Sequence, residues 1–130
     1  MKETKNALAI NSILIVISVT LLVTIIHEFG HYIVAQYFGF HPSLHHNYVN
    51  FNETIGTDTQ NTIVAAAGPI ISLIQGIIAL IIAIKIIKPS LFKLFMQWFG
   101  MQGLLTFMGY FLIAPFATEG DTGKIFAYFH

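Results

Sequence analysis

Apolar residues run through this chain in three long uncharged blocks, 7–26, 62–84 and 94–114, and polar residues collect between them. Each block is long enough, at about 1.5 Å per helical residue, to cross the roughly 30 Å of hydrocarbon in a bilayer. Backbone N–H and C=O groups find no water in that layer, so each block should be helical. Isoleucine and valine crowd the blocks without a period of two, which speaks against a membrane β-barrel.

The first helix should cover about residues 7–38, because HEFGHYIVAQYF continues with good helix formers until Gly39 and Pro42 stop it. It exceeds what a bilayer needs, so its end should tilt or emerge. Residues 39–60 form a polar loop in which 48–51 alternate as a short strand, TIGT reads as a turn, and NET at Asn52 matches a glycosylation sequon. A second helix should cover about 62–87, with Pro69 either kinking it or marking its first turn. Gly68, Ser72 and Gly76 fall four apart and line one face, where another helix can come close. A third helix over about 91–114 carries Gly100, Gly103 and Gly109, which also favour close contact. Pro115 should break it, and a turn over 115–123 leads into a short apolar tail. The expected fold is an all-α membrane protein, one domain over residues 1–130. It has three main transmembrane helices, a short C-terminal partial or re-entrant helix, and a small loop with a short strand.

Composition agrees with that class. Of 130 residues, 55% are hydrophobic and 9% charged, whereas a soluble domain has about a quarter of its residues charged. The start MKETKNALAI is similar to a secretory signal, but its apolar core is too long and no small-x-small cleavage site follows, so it reads as an uncleaved anchor. The absence of cysteine excludes disulfides and thiolate chemistry. Zero net charge without arginine argues against a nucleic-acid partner. Lys2 and Lys5 precede the first span, Lys85, Lys88 and Lys93 lie between the second and third, and Lys124 alone lies on the opposite side. That bias predicts a cytoplasmic N-terminus, with the 39–60 loop and any site near it on the outer side.

HEFGH, at the end of the first block, carries candidate chemistry. His27 and His31 are four residues apart, so on a helix they stack on one face about 6 Å apart, close enough to ligate one ion. Zinc prefers four ligands, so two histidines leave the site half built. Glu28 is placed to reach a water on that ion without ligating it. In HExxH chemistry the metal lowers the water's pKa and polarises a carbonyl, while the glutamate moves the proton to the leaving amine. Ionisable residues beside a spanning segment are costly, which favours a functional reading.

A third ligand has to come from elsewhere. The helix from residue 7 to His27 and the helix over 94–114 each rise about 30 Å, so the turn at Glu119 to Asp121 returns to the depth of the histidines. Asp121 is the expected ligand, with Gly120 and Gly123 freeing the backbone around it, and Glu119 is its substitute.

These three elements resemble the site-2 protease family of membrane-embedded zinc metalloproteases. HEFGH stands for HExxH, AAAGPIIS over 65–72 for an AGPxxN element, and APFATEGDTG over 114–123 for a proline-preceded DG element. The resemblance spans about residues 10–129. It implies one zinc per chain on His27, His31 and Asp121, Glu28 as catalytic base, and Gly68, Pro69 and Ser72 near the substrate. The reaction would be cleavage of a peptide bond in or beside another protein's transmembrane segment. Ser72 stands where the family usually has asparagine, and Gly120, Asp121, Thr122 where it has Leu-Asp-Gly. The family's site generally opens to the cytoplasm, opposite to the lysine bias here. Three spans enclose a site incompletely, which leaves room for a second copy or a partner subunit.

Two other chemistries compete. His41, His45 and His46 in the loop give HxxxHH, similar to the histidine boxes of membrane di-iron desaturases and hydroxylases, but six histidines in all are too few for two irons. A catalytically inactive metal-binding adaptor or immunity protein is the other. Three ligands plus a water leave an open position, which favours catalysis over a structural role.

Overall fold

The structure is a computed structural model. It describes residues 2–113, 116 and 120–129. Glu119, Pro115 and the end of the third expected span at residue 114 lie outside the described residues. The order of elements is α1 (Lys2–Tyr37), β1 (Ser43–Leu44), β2 (Val49–Asn50), α2 (Asp58–Lys85), α3 (Leu91–Ile113) and α4 (Gly120–Phe129), with a 3-10 turn at Glu53–Ile55.

Helix α1 ends where glycine permits it. Gly39 takes a φ of +76°, and the Phe40 N–H turns back to the Ala35 carbonyl while Gly39 N–H bonds Gln36. This pattern satisfies the last carbonyls and drops Phe40 into a buried contact with Ala35 and Val64. In the loop, β1 and β2 pair antiparallel in the register Ser43 with Asn50 and Leu44 with Val49. The strand expected near 48–51 thus exists and gains a partner that the sequence did not announce.

Helix α2 starts at Asp58, about a turn earlier than the apolar pattern predicts. The cause is a capping box, in which the Thr57 hydroxyl accepts from Gln60 N–H and the Gln60 side chain accepts from Thr57 N–H. Pro69 consequently sits inside the helix rather than in its first turn. Having no N–H, it leaves the Ala65 carbonyl without its usual helical donor.

All three other helices pack on α2. Small residues bring the backbones together: a Cβ at Gly76 would lie 2.9 Å from the Gly100 carbonyl oxygen, and one at Gly103 would lie 2.7 Å from the Ser72 carbonyl oxygen. On α1 a buried stripe runs four apart through Ile15, Val19, Val23, His27, His31 and Ala35, with Gly30 buried beside it. Leu94, Phe95, Trp98 and Phe99 of α3 cover the first three. Large apolar side chains elsewhere on α1 and α2, among them Ile13, Leu21, Ile74 and Ile81, face outward. Helices α1 and α2 are long and apolar enough to cross a membrane. Helix α3 has 23 residues and carries Gln97 and Gln102 among its glycines.

Candidate metal centre

Two histidines occupy places in the buried stripe of α1 where neighbouring turns carry valine and alanine. His27 is 3% and His31 5% exposed, and burial of that kind costs free energy unless every ring nitrogen has a partner. Their Nε2 atoms are 3.1 Å apart. From the first turn of α4, Asp121 extends Oδ2 to 3.1 Å from His31 Nε2 and 3.8 Å from His27 Nε2. The structure thus places Asp121, in the turn that the depth estimate pointed to, beside the two histidines.

The far ring nitrogens determine where the protons are. His31 Nδ1 lies 2.7 Å from the Val64 carbonyl oxygen, which can only accept, so Nδ1 carries the hydrogen and Nε2 of the neutral ring presents a lone pair. Ser72 donates its single hydroxyl hydrogen to the Gly68 carbonyl at 3.1 Å. It must therefore accept from His27 Nδ1, also 3.1 Å away. Two lone pairs and a carboxylate oxygen converge with no hydrogen of their own between them. With both rings neutral, such a set repels itself unless a proton or a metal cation holds it.

The spacing suits one. A triangle with sides of 3.1, 3.1 and 3.8 Å has its corners about 2.0 Å from a common centre, the length of a zinc bond to imidazole or carboxylate. His27, His31 and Asp121 could accordingly hold a metal ion.

Glycine makes the room. A Cβ at Gly68 would overlap His31 Nε2 and come within 2.7 Å of His27 Nε2, so only a residue without a side chain lets α2 pass the ligands. Gly30, inside HEFGH, does the same between helices, since a Cβ there would lie 2.9 Å from the Ala67 carbonyl oxygen. Ser72 is buried behind His27 and orients that ring, and Pro69 is buried beside Gly68.

A cavity of about 210 Å³ opens on the centre, lined by Glu28, His31 and Asp121, by Val49, Asn50 and Phe51 of the loop, and by Glu53 and Lys124. Lys124 pairs with Glu53 and lies 5.8 Å above the Phe51 ring, tying α4 to the loop. His41, His45 and His46 are exposed in the loop and do not join the cluster; His45 instead stacks on Tyr48 at 4.3 Å.

Two contributors escaped sequence reasoning. The Val64 carbonyl has no side-chain signature. Tyr110 of α3, stacked on His27 with centroids 4.8 Å apart, offered a weak one, as a hydroxylated ring in an apolar block at the depth of the histidines. The chain matches no family model, no curated protein and no solved structure.

Proposed function

We propose that this protein is an intramembrane zinc endopeptidase of the kind the site-2 protease resemblance implies, cleaving a peptide bond in or near a substrate's transmembrane segment. The observation that carries the reading is the convergence of His27, His31 and Asp121 on one centre whose open side meets a cavity lined by Glu28. Zinc held there would lower the pKa of a water toward about 7 and polarise the scissile carbonyl. Glu28 takes a proton from the attacking water on its carboxylate and passes it to the leaving amide nitrogen, so that water and amide become acid and amine. Ser72 and the Val64 carbonyl hold the two imidazoles in the tautomer the reaction needs.

A helical substrate hides its amides, so it has to unwind before attack. Strand β2 pairs with β1 along one edge and contributes Val49 and Asn50 to the cavity wall. An unwound segment adding beside β2 would lie within reach of Glu28. The membrane reading draws on α1 and α2 and on the outward-facing isoleucines and leucines, which water would not tolerate in such number; α3 is read as the third span. The lysine bias puts the N-terminus in the cytoplasm and the centre on the outer side.

The test is Glu28→Gln in purified protein with a transmembrane peptide substrate. The variant should retain one zinc per chain and lose cleavage. Zinc binding with no cleavage by the wild type toward any transmembrane substrate would favour the inactive adaptor, and iron at two per chain the oxygenase.

A further inference from the structure

We propose that Tyr110 is a positioning residue of the metal centre, a plate that holds the His27 ring in the orientation aiming Nε2 at His31 and Asp121. The proposal rests on His27, His31 and Asp121 being a metal site, and it gives α3, which supplies no ligand, a part in that site.

The two histidines are held unequally. His31 is anchored at 2.7 Å by a backbone carbonyl that cannot rotate. His27 has only a rotatable serine hydroxyl at 3.1 Å. One hydrogen bond at Nδ1 fixes a direction and leaves the ring free to tilt about it, and a tilt swings Nε2 away from the common centre. The tilt is blocked by rings. Tyr110 lies against the face of His27 with an interplanar angle of 22°, while His31 meets it edge-on at 80°.

Tyr110 is also a wall. It lines an apolar groove on α3 with Leu105, Thr106, Gly109 and Ile113, so the same ring separates the ligand from the groove. Fixing the ring calls for an aromatic plane, not for the hydroxyl. Tyr110→Phe keeps the plane, whereas Tyr110→Leu keeps much of the bulk and loses it.

The experiment measures zinc affinity of full-length protein in detergent by competition with a chromophoric chelator, together with the visible spectrum after loading with Co²⁺ alone. Tyr110→Phe should bind zinc within about twofold of wild type, and Tyr110→Leu should bind about tenfold more weakly. The cobalt bands should move in the leucine variant only. Circular dichroism of the metal-free protein reports folding; should the leucine variant not fold, Tyr110→Met gives the same comparison. A role in packing alone would lower the melting temperature while leaving affinity and cobalt bands unchanged, and that result would overturn the proposal though the metal site stands. A wild type that binds no zinc would overturn both.

Discussion

An alanine at Gly68 sets two opposed effects against each other. In the interior of α2 the change from glycine favours the helix by about 1 kcal/mol. The added methyl, however, would overlap His31 Nε2 and lie 2.6 Å from His31 Cε1 and 2.7 Å from His27 Nε2. Unstrained contacts between such atoms begin near 3.5 Å, so both rings must withdraw by on the order of 1 Å. That is about half the length of a zinc–nitrogen bond, and it moves both donors off the common centre. Zinc affinity should fall by at least about 100-fold, or about 2.8 kcal/mol. Thermal melts with and without zinc separate the two effects. Metal-free Gly68→Ala should melt at or below the metal-free wild type, because overpacking costs about 1–3 kcal/mol against the gain in helix propensity, and zinc should no longer raise its transition. Gly109→Ala is the control, since a Cβ there meets nothing within 4 Å; it should keep the zinc-dependent rise. If zinc stabilised Gly68→Ala as much as wild type, α2 could not be pressing on the ligands as described.

Ser72→Ala removes the acceptor for His27 Nδ1–H and should weaken zinc about tenfold in chelator competition, with Ser72→Thr restoring most of it. Val49→Pro removes an N–H from β2 and should slow cleavage of transmembrane substrates without loss of zinc; unaffected cleavage would end the strand-pairing idea. Because the chain has no cysteine, single cysteines at Thr57 and Ser90 can report sidedness: an impermeant reagent should label the first alone, and labelling of the second alone would reverse the orientation.

What the sequence disclosed, and what it withheld, follows from the range of the interactions involved. Helical periodicity is local, so the four-residue spacing of His27 and His31 was enough to place both rings on one face. Rise per residue is fixed, so depth pointed to Asp121 across about ninety positions. The start of α2 was misplaced because Thr57 and Gln60 make their capping box from polar residues in a stretch that composition marks as loop. Ser72 was legible as a small residue on a packing ridge, but its hydroxyl acts across the helix interface on His27, and no pattern within α2 reports that. Gly68 and Gly76 look alike in the chain. Only the packing shows that Gly76 faces a backbone and Gly68 faces the ligands.

Metal content decides the central claim most directly, measured on purified wild type and on Asp121→Asn, with zinc-edge X-ray absorption reporting the ligands. One zinc per chain is expected in the wild type, bound by two imidazoles and a carboxylate, and zinc weakly held or lost in the variant. A wild type without metal, or an Asp121 variant that holds zinc as tightly through the same ligands, would contradict it.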